Sequence, residues 1–160
     1  MNHSELRTLF ASYSNAWLEN DSDALYAHWD KEDDAPFYKA EEIAEYFHRY
    51  DEILKYWQHN ESFHDRVQLD FSDIQWKELS DKVLVVFVKM NWHIKFAPNT
   101  KTLDGHGFAH AGKTMAGENH VLAMLRRKDS GLKFCGWSET PDAPITYMGR
   151  LYQWAANRSE

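Results

Sequence analysis

The stretch KVLVVFVKMNWHIKF (82–96) has the composition of a long β-strand. β-Branched and aromatic residues dominate it, and these residue types favour the pleated backbone of a strand. In its second half Met90, Trp92, Ile94 and Phe96 alternate with polar residues. Because successive side chains of a strand point to opposite faces, one face is predicted to be apolar and the other polar. Such a strand needs a sheet around it and a second layer over its apolar face.

Further strand patterns lie on both sides of this stretch. Upstream, apolar and polar residues alternate over 67–76, and a phase shift at Ser72-Asp73 predicts a β-bulge. Downstream we expect an extended run over 106–128, a turn at DSG (129–131) and a last strand LKFCGWSE (132–139).

Helical patterns precede the strands. An apolar stripe at helical spacing covers residues 6–17, with Ser4 as a cap, and ENDSD (19–23) ends it. Asp21 or Ser22 can then cap a second, short helix. At the other end of the chain, TYMGRLYQWAA (146–156) predicts a short C-terminal helix.

Residues 37–60 suit two structures. Their apolar residues form a helical stripe over the whole stretch, and this pattern favours one long helix. Alternatively, PFYKAE (36–41) is a short strand that precedes a shorter helix near 50–60. Helices first and antiparallel strands afterwards predict an α+β fold, with the helices on one face of a strongly curved, mostly antiparallel sheet. At 160 residues we expect one domain over 1–160.

Composition and charge exclude several classes of protein. The net charge is −7, and the only basic cluster, Arg126 to Lys128, precedes a turn, so nucleic acid is not an expected partner. No apolar run is long enough to span a membrane, and the N-terminus lacks the pattern of a signal peptide, which favours a cytoplasmic location. Cys135 is the only cysteine and is predicted to be a buried, inert thiol.

Three stretches together resemble a known superfamily. They are SYSNAWLENDSDALYAHW (12–29), PFYKAEE (36–42) and LRRKDSGLKFCGWSETPDAP (125–144). In this order they are similar to the nuclear transport factor 2-like superfamily, in particular its SnoaL-like (polyketide-cyclase-like) branch, over roughly residues 5–155.

The resemblance implies a cone-shaped α+β barrel with an apolar pocket at its open end and a homodimer through the sheet. It makes PFYKAEE a strand and begins the next helix near Asp51. The C-terminal segment, by contrast, extends beyond the usual last strand of the superfamily. Members include a ketosteroid isomerase, a dehydratase, an epoxide hydrolase, polyketide cyclases, and transport and assembly domains without catalysis.

Histidines cluster around GHGFAHAG (105–112). On a strand, His106 and His110 share a face with Asp104, and His120 is in phase with them. Residues four apart on a strand are about 13 Å apart, which is more than one metal ion can bridge. The spacing also matches no metal motif, so we expect no metal site and place these histidines at the surface or at a dimer edge.

Enzymes of the resembling superfamily use Asp, His and Tyr inside the apolar cone, where burial moves the pKa of a carboxyl or imidazole towards neutrality. The catalytic candidates are therefore His120, Asp104, His106 and Glu139. Glu139 lies at the end of the last strand, and two interpretations remain for it: a carboxylate on the rim of the pocket, or a buried base. Tyr13, Tyr38 and Tyr56 are candidate hydroxyl donors.

Aromatic side chains from separate elements are predicted to line the pocket and to bind a small apolar or cyclic organic molecule. They are Tyr13, Trp17, Trp29, Tyr38, Tyr56, Trp57, Trp92 and Trp137. No glycine-rich phosphate loop and no GxSxG motif is present, so no nucleotide or flavin cofactor is expected. Two functions follow: a cofactor-independent isomerase, cyclase, dehydratase or hydrolase using acid–base chemistry, or a non-catalytic module for ligand binding or protein assembly.

Overall fold

The computed structural model describes residues 3–102, 105–143 and 145–156. Within these residues helices and strands follow one another in the order α1 (His3–Glu19), α2 (Ser22–Ala27), β1 (Phe37–Lys39), α3 (Tyr50–Phe63), β2 (His64–Glu78), β3 (Val83–Phe96), β4 (Thr114–Lys128), β5 (Gly131–Pro141) and α4 (Ile145–Ala156). Helices pack against one mostly antiparallel sheet, which confirms the α+β prediction. None of the described helices has the length and the apolar composition that crossing a membrane requires.

The five described strands form one sheet in the order β1-β5-β4-β3-β2. β1 runs parallel to β5, and the other neighbours are antiparallel. β1 and β2 have a partner on one side only, so the sheet is open and does not close into the barrel that the resemblance implied.

Helix α1 covers one face of this sheet through its apolar stripe. Leu6, Phe10, Tyr13 and Trp17 are buried, as expected for residues that recur on one side of a helix. The ring of Tyr13 lies 4.8 Å from that of Phe134 on β5, centroid to centroid. These contacts build the core between α1 and the sheet.

Several local features confirm predictions made from the sequence. The register of β2 against β3 shifts between Ser72 and Gln75, and Asp73 adopts a φ of 51°, so the predicted bulge is present. Asp21 caps α2: one of its carboxylate oxygens accepts hydrogen bonds from the backbone N–H groups of Asp23 and Ala24, both at 3.0 Å. The C-terminal helix also lies where it was predicted.

The prediction of one long helix over 37–60 is wrong. Residues 37–39 form β1, and Tyr38 exchanges two backbone hydrogen bonds of 3.0 Å with Phe47 across the following loop. Helix α3 starts only at Tyr50, as the resemblance implied. The apolar stripe of 37–60 therefore combines strand, loop and helix residues, and pairing with β5 determines the backbone of its first part.

The extended run predicted from residue 106 is also wrong, because β4 begins at Thr114. Residues 105–113 form turns, in which Gly105 and Gly112 have φ values of 82° and 72° that favour glycine. His106 and His110 consequently do not share a strand face. Asp104 lies outside the described residues.

Candidate active site

A cavity of about 510 Å³ lies between the sheet, helix α3 and the loops that follow β1 and β3. The apolar face predicted for β3 forms one wall, with Met90, Trp92, Ile94 and Phe96. The volume of the cavity falls in the range of small-molecule binding sites. The structure thus offers an apolar space large enough for a ring-bearing molecule.

Aromatic residues predicted to bind ligand separate into two groups. Trp17, Tyr38, Tyr56, Trp92 and Trp137 line the cavity. Tyr13, Trp29 and Trp57 are each 1% exposed in the core and are not among its lining residues. This second group supports the wall: the Trp29 ring lies 5.9 Å from that of Tyr38 and 5.6 Å from that of Trp57, centroid to centroid.

Trp92 occupies its place in the wall because Gly117 faces it on β4. The two residues are paired across β3 and β4. A Cβ atom at position 117 would lie 2.5 Å from Cζ2 of the indole, too close for any side chain larger than hydrogen. Gly117 is therefore needed for the close approach of this ring to the backbone.

Glu139 brings a carboxyl group into this wall and is held there by nitrogen donors. Trp137 Nε1 donates to Glu139 Oε1 at 2.7 Å, and Asn119 Nδ2 donates to Oε2 at 3.0 Å. Asn119 is 1% exposed, and its own Oδ1 accepts from Trp92 Nε1 at 3.3 Å. This chain of hydrogen bonds fixes the orientation of the carboxyl group.

The pKa of Glu139 is raised from 4.5 to about 7. Loss of hydration in the cavity is the main cause, and the negative charge of Glu42 adds to it. The hydrogen bonds from Trp137 and Asn119 oppose the shift, because they stabilise the carboxylate form. A carboxyl group with this pKa can both accept and donate a proton at neutral pH.

Two further carboxylates belong to the same cavity. The loop after β1 brings in Glu41 and Glu42, and the hydroxyl of Tyr56 donates a hydrogen bond to Glu42 Oε1. The pKa of Glu41 is raised by burial and by the charge of Glu42. Burial raises the pKa values of Tyr38 and Tyr56 well above 10, so both phenols keep their protons and remain hydrogen-bond donors.

Asn60 and His64 are lining residues that the sequence reasoning missed. They are 5% and 8% exposed, and Asn60 Nδ2 and His64 Nδ1 have no hydrogen-bond partner among the described residues. Burial, together with nearby His59, lowers the pKa of His64 to about 4, so its imidazole is neutral at physiological pH. The helical spacing of α3 was the available signal: Asn60 follows Tyr56 and Trp57 by one turn, on the buried side.

Comparison with known proteins bears on the fold. No family model and no curated relative matches the chain. Among solved structures, a proposed dehydratase of the NTF2-like family from Streptomyces avermitilis superposes with a TM-score of 0.71 at 12% identity, over 88% of this chain and 97% of that one. A proposed scytalone dehydratase from Novosphingobium aromaticivorans superposes with a TM-score of 0.69 at 14% identity, over 88% and 83%.

A third similar structure is a type 2 hexachlorocyclohexane dehydrochlorinase (LinA), with a TM-score of 0.66 at 9% identity, over 88% of this chain and 84% of that one. The chain has the nuclear transport factor 2-like fold. Identities this low establish the architecture alone, and membership of the SnoaL-like branch stays a prediction.

In this nuclear transport factor 2-like fold the four catalytic candidates lie in different places. Glu139 is in the cavity wall, whereas His120 pairs with Lys89 on the opposite face of the sheet, where its side chain is 64% exposed. His106 lies in the loop before β4 and is not among the lining residues, although His110 of the same loop is. Asp104 is outside the described residues. Among the described residues no three His, Cys, Asp or Glu side chains are grouped to hold a metal ion.

Proposed function

We propose that this protein is a cofactor-independent enzyme that transfers a proton to or from carbon in a small ring-bearing molecule, with Glu139 as the general acid–base. One observation carries the proposal: an oriented carboxyl group with a pKa of about 7 in the wall of an apolar cavity. Catalytic groups work best when their pKa lies near the working pH, and a structural carboxylate has no need of such a shift.

The proposed step begins with the ionised carboxylate of Glu139. It takes a proton from a carbon atom of the ligand, and the electron pair of the broken C–H bond moves into the ligand as a new double bond. In an elimination the pair displaces a leaving group, which departs with its own bonding electrons. In an isomerisation the protonated Glu139 returns the proton to another carbon. Both reactions balance without an oxidant or a cofactor.

Neighbouring groups support this step. Trp137 and Asn119 hold the two oxygens of Glu139, so the carboxyl group does not have to search for its reactive orientation. The protonated phenols of Tyr38 and Tyr56 lie in the same cavity and can donate hydrogen bonds to an oxygen that gains negative charge. The names dehydratase and dehydrochlorinase, carried by proteins with this fold, describe eliminations.

The experiment uses 2-tetralone, a neutral bicyclic ketone with acidic C–H bonds, as a probe in heavy water. We expect the protein to accelerate exchange of its carbon-bound hydrogens for deuterium, measured by proton NMR. The rate should rise with pH and level off above about pH 7, where Glu139 is ionised.

The matched variants are Glu139→Gln and Glu45→Gln, since Glu45 is exposed and is not a lining residue. Glu139→Gln should reduce the exchange rate at least about a hundredfold, in line with the loss of a general base, while Glu45→Gln keeps it. Exchange in Glu139→Gln at the parent rate would refute the role of Glu139. Binding of 2-tetralone without any exchange would favour the non-catalytic binding module.

A further inference from the structure

The cavity is lined by three carboxylates, and its described basic lining residues are three histidines, His59, His64 and His110. Glu41, Glu42 and Glu139 are lining residues, and among the described residues no lysine or arginine is. Glu41 and Glu42 are exposed and Glu139 is half-buried, so water screens part of the repulsion among these like charges, and the repulsion is strongest at Glu139. The raised pKa values of Glu41 and Glu139 both reflect this repulsion from Glu42 in addition to burial.

Among the lining histidines, the buried His64 does not offset the charge of the carboxylates. His64 is neutral because burial lowers its pKa, so it adds no positive charge. Asn60 and His64 are more than nine-tenths buried, line the cavity and each keep a side-chain nitrogen without a partner in the described residues. Unpaired buried polar groups are costly. A protonated amine can donate to His64 Nδ1 in the tautomer that leaves this nitrogen unprotonated, whereas Asn60 Nδ2 is itself a donor and needs an acceptor.

The apolar walls are mainly aromatic rings. Trp17, Tyr38, Tyr56, Trp92 and Trp137 line the same space as the three carboxylates. The face of an aromatic ring attracts a cation, most strongly for tryptophan and where water is excluded. Rings and carboxylates therefore favour the same kind of guest, an apolar molecule that carries a positive charge.

We propose that the ligand of this cavity is a hydrophobic organic cation, a ring-bearing amine that is protonated at neutral pH. This rests on the proposed function in that it names the substrate class of the same site. The ammonium group offsets the charge of Glu41, Glu42 and Glu139, and the ring fills the aromatic space. Because a nearby cation favours an ionised carboxyl group, the bound ligand also holds Glu139 in the form that accepts a proton.

Two matched probes test the inference: 1,2,3,4-tetrahydroisoquinoline, which is a cation at neutral pH, and isochroman, in which a neutral ether oxygen replaces the nitrogen. Isothermal titration calorimetry at about pH 7 should show the cation binding at least about tenfold more tightly, a difference of about 1.4 kcal/mol. Titrations in phosphate and in Tris should further show net release of protons on binding of the cation, because Glu139 loses its proton.

The variants are Glu41→Gln and, as its matched control, Glu45→Gln in the same loop but outside the cavity lining. Glu41→Gln should reduce the preference for the cation about threefold or more, and Glu45→Gln should keep it. Equal or tighter binding of isochroman, or binding of neither probe up to its solubility limit, would overturn the inference. Deuterium exchange in 2-tetralone tests the acid–base role separately, so either proposal can fail while the other stands.

Discussion

Glu139 lies in surroundings that oppose its ionisation. Cavity walls remove water from its carboxyl group, and Glu42 adds a repulsive charge. Its folded-state pKa of about 7 exceeds the usual 4.5, so the folded protein binds this proton more tightly than the unfolded chain does. The contribution of Glu139 to the free energy of unfolding is therefore largest below about pH 4.5 and declines as pH rises to about 7.

This gives a prediction for Glu139→Gln. Removing the charge relieves a penalty of about 3 kcal/mol at about pH 8, since one pKa unit corresponds to about 1.4 kcal/mol. The new amide cannot accept from both Trp137 and Asn119, and the lost hydrogen bond costs about 1 kcal/mol. Urea unfolding should thus show the variant to be about 2 kcal/mol more stable than the parent at about pH 8, and about 1 kcal/mol less stable near pH 4.5, where the charge penalty is gone and only the lost hydrogen bond counts.

The Glu45→Gln variant, which removes an exposed carboxylate, is the control and should follow the parent at every pH. A Glu139→Gln variant that is less stable than the parent at about pH 8 would contradict the raised pKa. It would show instead that the carboxylate form of Glu139 is stabilised by its donors more than it is destabilised by burial.

Whether the position of a single site residue could be predicted from the sequence depended on assigning strand residues to the correct face of the sheet. Glu139 and Trp137 share a strand face, and both line the cavity, which agrees with an interior position for Glu139. His120 was assigned to the same face as His106 by counting along an unbroken strand. Because the strand starts only at Thr114 and Asn119 points inwards, His120 points outwards. Asn60 could have been placed on the buried side of α3 from its spacing to Tyr56 and Trp57, whereas no sequence pattern marks His64 and only packing identifies it.

Strand β1 shows how a short element depends on its neighbour. Its three residues pair with β5, with Phe37 opposite Gly136 and Tyr38 opposite Trp137. A methyl group at Gly136 would overlap the ring of Phe37. This edge of the sheet therefore requires glycine at position 136 for the Phe37 ring to lie across the backbone.

We accordingly expect Gly136→Ala to displace Phe37 and weaken the pairing of β1 with β5. Overpacking of this kind typically costs about 1–3 kcal/mol in the free energy of unfolding, which urea denaturation measures. Tyr38 follows Phe37 on the same strand and lines the cavity, so the substitution should also disturb this part of the cavity wall.

Gly149→Ala is the matched control, because a Cβ atom at Gly149 in α4 meets no heavy atom within 4 Å. This variant should be as stable as the parent or slightly more stable, since alanine favours a helix over glycine. If Gly136→Ala unfolds at the same urea concentration as the parent, Phe37 has room to move and the close approach is not required.

The same pairing explains why the pattern of residues 37–60 was misleading. Ile43, Phe47 and Tyr50 fit a helical stripe, but the backbone of this region is determined by hydrogen bonds to Tyr38 and by β5, which lies about a hundred residues further along the chain. The spacing of apolar residues within 37–60 does not show that the segment pairs with such a distant strand. The long regular strands, by contrast, follow from local alternation, and β3 starts and ends within one residue of the stretch predicted.

The outer face of the sheet carries apolar side chains that remain exposed among the described residues. Phe87 and Leu122 are paired across β3 and β4 and are 49% and 37% exposed. They border a crevice together with Phe37 and Tyr46, and Tyr46 is 47% exposed. Exposure of these large apolar side chains to water is unfavourable. Packing against a second copy of the chain would bury them.

We therefore expect the protein to be a homodimer through this face, as the resemblance also implies. Phe87→Asp should convert the dimer to a monomer in sedimentation velocity at micromolar concentration, because a buried, unpaired charge at an interface costs several kcal/mol. Tyr152→Asp, which changes a 61% exposed aromatic side chain on α4, should leave the dimer intact. Since the cavity lies on the other side of the sheet, a monomeric Phe87→Asp variant should still bind the tetrahydroisoquinoline probe. A parent protein that sediments as a monomer, or a Phe87→Asp variant that remains dimeric, would show that this face is not the interface.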